Sequence, residues 1–236
     1  MLVLCFLFAC AFVASDATDL AKFITPCRPK DTACLKSSAQ KAVPFLAAGI
    51  ADLGIETMDP MTVGRVNTVQ AGLHMDFRDT TVRGLRNCVV LNLRRLHDKT
   101  LLDLKCSVTL VGEYTLGGQL LILPIEGTGK YRIRIRDIIM KIILDVEERI
   151  VQGDRYWHVS DWKHSAEDVS KVEYQFQNLF NGNRDLAKTI HDFANSNWRE
   201  IFQEVAPPMV KAIVSKIIHE TFKLFDKVPI KDLALE

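Results

Sequence analysis

The sequence predicts an α+β fold, an extensive antiparallel sheet whose apolar face is covered by one long C-terminal helix. Three observations predict it. Between Val69 and Phe176, apolar and polar residues alternate in one segment after another, the period of a strand with one buried face. From Gly64 to Phe180 no helix-period stretch offers a crossover between parallel strands, so the strands form an antiparallel meander. After Asn183 the apolar residues recur at helical spacing for roughly forty positions, about 60 Å of helix at ~1.5 Å per residue. A rod of that length inside a curved sheet is an unusual architecture.

Taken in chain order, residues 1–17 read as a secretory signal peptide. The apolar run through Leu2, Val3, Leu4, Phe6, Leu7, Phe8, Phe12 and Val13 breaks at Ser15-Asp16-Ala17, too short to span a membrane. Residues 18–236 then form one domain, since no linker, repeat or low-complexity tract divides them. Of the six cysteines, Cys5 and Cys10 leave with the signal, and Cys27, Cys34, Cys88 and Cys106 remain in an oxidising compartment. A Cys27–Cys34 disulfide closes a short loop and pins the N-terminal strand to the first helix, worth about 2–3 kcal/mol. Cys88 and Cys106 lie equidistant from His97 in an expected hairpin. They form either a cross-strand bond or, with the register moved by one residue, two buried thiols.

Asp31 to Ile50 suits an amphipathic helix that Pro44 should bend or end early. Val69, Ala71, Leu73, Met75 and Phe77 then alternate as one strand. Leu102 to Leu110, Tyr131 to Ile135 and Val172 to Phe176 alternate likewise. Asn181-Gly182 is a turn dipeptide, Asn183 an N-cap and Asp185 a first-turn acid. Leu186, Ile190, Phe193, Ile201, Phe202, Val205, Met209, Ile213, Ile217 and Phe222 carry the helix, and Pro207-Pro208 should kink or split it.

Lysine and arginine total 30 against 29 aspartate and glutamate, without a basic block, which argues against nucleic acid as a partner. No Asn-x-Ser/Thr sequon occurs. Gly127-Thr-Gly129 reads as a turn, because a dinucleotide fingerprint would open a helix there. His158, Asp161, His164 and Glu167 match no common zinc spacing, and Trp157 and Trp162 suggest a loop or strand end. Neither a nucleophile elbow nor a His-Glu-x-x-His motif is present. His74 and His191 read as surface or head-group contacts. Arg132, Arg134 and Arg136 read as a solvated sheet face, with docking to a membrane or receptor as the sharper alternative. No metal, no cofactor and no catalysis are expected.

Several motifs carry a family resemblance. Asp59-Pro60-Met61, Gly84-Leu85, Gly112-Glu-Tyr114 and Gln119-Leu-Leu-Ile-Leu-Pro124-Ile-Glu-Gly127-Thr-Gly129 come first, followed by Asn178-Leu-Phe-Asn-Gly-Asn183, Asn197-Trp198-Arg-Glu-Ile-Phe202 and Val228-Pro229. In this order they resemble the insect Takeout and juvenile-hormone-binding protein family over nearly the whole mature chain. The resemblance implies a highly curved antiparallel β-sheet wrapped around a long C-terminal α-helix, enclosing a hydrophobic tunnel. Hormone-binding members carry a second disulfide in the C-terminal half. This chain has no cysteine after Cys106, which places it nearer the Takeout branch.

The function expected on that basis is a secreted, monomeric carrier of a long hydrophobic small molecule, a terpenoid or fatty-acid derivative. The resemblance also suggests links to feeding, circadian output or mating. The candidate lining is Phe45, Leu73, Met75, Phe77, Val108, Leu110, Tyr174, Phe193, Trp198, Phe202, Met209 and Ile213. Alternation alone would place the same residues in a filled core; the resemblance favours a pocket. From another functional class, the alternative is an extracellular protein of a related wrapped fold that binds lipid or membrane surfaces.

Overall fold

The computed structural model describes residues 21–167 and 170–235; the signal peptide expected over residues 1–17 lies outside them. Cys27 and Cys34 are bonded, with Cα atoms 5.7 Å apart, and helix α1 (Thr32–Ala48) begins inside the loop they close. The Asp31 carboxylate caps it by accepting from the Cys34 amide. Pro44 does not end α1 early. It stands on the exposed side, where a carbonyl deprived of its donor can turn to water, and the helix runs on to Gly49, whose φ of 83° stops it.

The alternation from Val69 to Phe77 is not one strand. Strands β2 (Val66–Gln70) and β3 (Leu73–Arg83) pair antiparallel around Ala71 and Gly72, which have φ of 50° and 79°. Positive φ at both residues is the twist-matched geometry of a two-residue hairpin. The turn keeps the period, so the pattern hides it; Val69 is 56% exposed while Leu73, Met75 and Phe77 are buried.

Strands β1 (Met61–Val63), β4 (Val89–Arg95), β5 (Lys99–Leu120), β6 (Leu123–Val151), β7 (Asp154–Glu167) and β8 (Lys171–Phe176) complete the antiparallel sheet. Its order is β1-β3-β5-β6-β7, with β2 also beside β3, β4 beside β5 and β8 beside β6. β6 has 29 residues and would reach about 95 Å if straight at ~3.3 Å per residue. It is bent instead. The register shifts between Cys106 and Val108 and between Asp145 and Val146, and Asp79 and Asp137 adopt φ of 49° and 51°. Each bulge sharpens the local twist, so the sheet curls around its apolar face without closing.

Gly127-Thr-Gly129 is strand, not turn. A Cβ on Gly129 would lie 2.4 Å from the Gln177 carbonyl oxygen, and one on Gly127 would lie 3.0 Å from the Leu179 Cα. These glycines let residues 177–179 pass directly over β6, where the Tyr114 hydroxyl donates to the Gln177 carbonyl at 2.7 Å. Trp157 and Trp162 likewise sit within β7 rather than at a loop or strand end.

The C-terminal rod consists of α2 (Arg184–Ser196), α3 (Trp198–Val205) and α4 (Pro207–Lys227), followed by the short α5 (Ile230–Leu233). Asn183 caps α2 by accepting from the Asp185 and Leu186 amides, and Pro207 opens α4 at the expected break. A second break falls at Asn197, whose side-chain amide donates to the Phe193 carbonyl at 2.8 Å and so competes for the helix ladder. Met209, Val210, Ile213, Val214, Ile218 and Leu224 bury α4 against the sheet. Glu220, only 2% exposed, accepts from the Glu56 amide at 2.7 Å and from Lys223. Burial alone would raise its pKa, but the Lys223 and Glu56 hydrogen bonds together hold it below the ordinary value.

Candidate ligand-binding site

Between α1, the inner face of the sheet and α4 lies a cavity of about 310 Å³. Its walls follow from the burial patterns. α1 presents Leu35, Ala39, Ala42 and Leu46; β5 and β6 present Leu102, Leu104, Met140, Ile142 and Leu144; α4 presents Val210, Val214, Ile217 and Leu224. The wall formed by α1 is tied to the sheet. The Gln40 side chain donates to the Cys88 carbonyl at 3.1 Å and accepts from the Val90 amide at 2.7 Å, completing the exposed edge of β4 as a neighbouring strand would. Cys88 and Cys106 are bonded across the hairpin with Cα atoms 4.5 Å apart, the spacing of a non-hydrogen-bonded pair. Of the two alternatives left open by sequence, the bond is the one formed, and both cysteines face the cavity.

A second cavity of about 70 Å³ continues toward α2 and α3. Ile135, Val210 and Ile213 line both cavities, so the partition between them consists of side chains. An aromatic cluster stands beside it, with Phe77 edge-on to Tyr131 at 4.9 Å and Tyr114 edge-on to Phe176 at 4.8 Å. Burial pushes the Tyr114 and Tyr131 hydroxyls up to about 12. Tyr174 is raised by burial as well, and among the described residues its hydroxyl has no hydrogen-bond partner. His191 accepts from the Phe176 amide at 2.9 Å, and burial lowers its pKa, so the ring is held neutral. His74 is exposed.

The expected lining residues divide. Leu73, Met75, Phe77, Leu110, Tyr174, Phe202 and Met209 border the small cavity, Val108 borders the large one, and Ile213 borders both. Phe193 and Trp198 pack against the core outside both cavities. Phe45 is 52% exposed and stacks on Phe23 at 5.2 Å. Sequence reasoning passed over most of the large cavity. Its signal was present in the Leu102–Cys106 alternation and in the small-residue face of α1 at Ala39, Ala42 and Ala47. Arg95, Trp157 and Phe225, which lie together in the cavity wall, had no motif to mark them.

Elsewhere on the surface, Arg134 and Arg136 pair with Glu173 at 3.8 and 3.3 Å, as on a solvated sheet face. His158, Asp161, His164 and Glu167 run along β7. Among the described residues no three His, Cys, Asp or Glu side chains gather as metal ligands would.

A curled sheet holding apolar cavities against its own C-terminal helix defines a class of α+β binding proteins. The chain belongs to the haemolymph juvenile hormone binding protein (JHBP) family, whose sequence model matches residues 3–235. It is similar to the crystal structure of Epiphyas postvittana Takeout 1, with a TM-score of 0.88 and 28% identity, covering 90% of this chain and 100% of that one. It is 25% identical over 202 residues to the circadian clock-controlled protein daywake of Drosophila melanogaster, spanning 79% of this chain and 77% of that protein. The Drosophila yakuba counterpart is 23% identical over the same length.

Proposed function

We propose that this protein is a secreted carrier that encloses one long apolar small molecule, a terpenoid or fatty-acid derivative, in the cavity between α1, the sheet and α4. Residues 18–236 would act as a single monomeric carrier domain behind a signal peptide. The observation that carries the reading is the cavity itself. Its volume of about 310 Å³ lies within the range of small-molecule sites, and its wall is predominantly apolar. At ~0.8 kcal/mol per buried methylene, a fifteen-carbon chain gains roughly 10 kcal/mol before association costs, enough for micromolar binding or better. The two disulfides fit an oxidising, extracellular setting. Among the described residues no helix is long and apolar enough to cross a membrane.

The test is to purify the secreted protein, extract it with organic solvent and analyse the extract by mass spectrometry. A near-stoichiometric isoprenoid or acyl lipid is the expected result. An empty extract, together with no uptake of an apolar fluorophore, would overturn the reading. One observation favours a lipid-surface binder as the second reading: Ile122, at the tip of the β5–β6 hairpin, is 78% exposed. Co-sedimentation with liposomes that is lost in Ile122→Ser would support it.

A further inference from the structure

Arg95 bears the one charged side chain among the described residues lining the large cavity. Its guanidinium carbon sits 3.5 Å from the centroid of the Trp157 ring. Trp157 is itself only 8% exposed and is braced edge-on by Phe225 at 5.6 Å. One face of the guanidinium is therefore covered by an aromatic surface. Its N–H donors lie in the guanidinium plane, around the edge of that stack.

Those donors are unspent. Among the described residues the Arg95 guanidinium makes no hydrogen bond and no ion pair. Glu148 acts on it through space, but that carboxylate is half exposed and lies 3.5 Å from Arg155. Burial takes Arg95 down to about 10 from its usual value, the mark of a cation partly stripped of water without a full counterion. Two of the neutral hydroxyls lining the cavity are already engaged. The Ser38 hydroxyl donates to the Thr25 carbonyl and accepts from the Thr25 amide, and Thr221 donates to the Ile217 carbonyl.

We infer that the large cavity takes an amphiphile with a carboxylate head, received by the Arg95 guanidinium against Trp157, with its apolar tail lying along Leu102, Leu104 and Met140. This rests on the carrier reading and narrows it. A carboxylate matches the guanidinium fork with two parallel hydrogen bonds and supplies the charge that the site lacks. A neutral ester of the same chain also offers acceptor oxygens but not the negative charge. Apolar burial by itself predicts the opposite order, because the ester carries an extra methyl and no charge to desolvate. Preference for the acid is therefore diagnostic.

The experiment is displacement of bound N-phenyl-1-naphthylamine at pH 8 by tetradecanoic and hexadecanoic acids and by their methyl esters. Wild type, Arg95→Met and Arg95→Lys are compared. In wild type each acid should bind about tenfold or more tighter than its ester, the size of one charge-assisted pair. Arg95→Met should abolish that preference by weakening acid binding far more than ester binding, and Arg95→Lys should retain part of it. Esters binding as well as acids in wild type, or an acid preference that survives Arg95→Met, would overturn the assignment while leaving the carrier intact. If neither the fluorophore nor any lipid binds, the carrier reading falls and this inference with it. Should Arg95→Met fail to fold by circular dichroism, the wild-type ratio and Arg95→Lys decide.

Discussion

Ala42→Leu tests whether the large cavity is a void or a filled core, because the two cases differ in sign. Ala42 is 6% exposed and faces the cavity from the middle of α1. Leucine adds three carbons there, directed into space that no side chain occupies. At ~0.8 kcal/mol per buried carbon the gain is about 2.4 kcal/mol. Ordering the new side chain costs about 0.5–1 kcal/mol, and the helix propensities of the two residues are close. The delipidated variant should therefore be about 1–2 kcal/mol more stable than wild type, read as a higher urea midpoint with an unchanged slope. Its affinity for a long apolar ligand should fall, since the added carbons occupy ligand volume. In a filled core the same substitution overpacks and costs about 1–3 kcal/mol. Destabilisation of that size would refute the cavity and the carrier reading built on it.

Three further outcomes are expected. Replacing both Cys88 and Cys106 by serine opens a loop of sequence separation 18, costing about 3 kcal/mol by loop entropy; an unchanged guanidinium midpoint would contradict this. Tyr174→Phe removes a buried hydroxyl that lacks a partner and should leave the delipidated protein as stable as wild type or up to about 1 kcal/mol more stable. A clear loss of stability would show that the hydroxyl is satisfied. His191 has a folded pKa lowered by burial, so the unfolded chain binds the proton more readily. Its contribution is complete above the unfolded value of about 6.5 and is lost as pH falls toward the lower folded value. His191→Gln should therefore flatten the fall in urea midpoint between pH 7.5 and pH 5, and an equally steep fall in both proteins would refute this.

The sheet was legible in the sequence because half-buried strands impose a period that no helix shares. Leu102 to Leu110 and Tyr131 to Ile135 behave as that period requires. The N-cap at Asn183 and the break at Pro207 were legible for a local reason, the bonding of one side chain and one missing donor. What escaped depends on distant neighbours. Ala71-Gly72 preserves the alternation while reversing the chain, and Gly127 and Gly129 are small because residues 177–179 cross over them, a contact absent from their own surroundings. The cavity escaped for a similar reason. Ala39 and Ala42 look like ordinary helix formers, and only the packing of α1 against β4, with α4 across the cavity, shows that their smallness leaves room. Arg95 carried no signal, since its meaning lies in sitting on Trp157, some sixty residues away and three strands later.

The long β6 strand also bears on how the molecule comes together. It hydrogen-bonds with β5, β8 and β7 in turn, so segments on either side of it in the chain all assemble on one template. Most of those contacts are distant in sequence, a topology associated with slow folding. The rod that covers the template is made after it, and until α4 docks the apolar face stays open to water. During synthesis that interval is the hazard, when a bare curled sheet can pair with a neighbouring chain. It is also when the future interior stands widest, so an apolar molecule present then would favour closure by binding only the finished form.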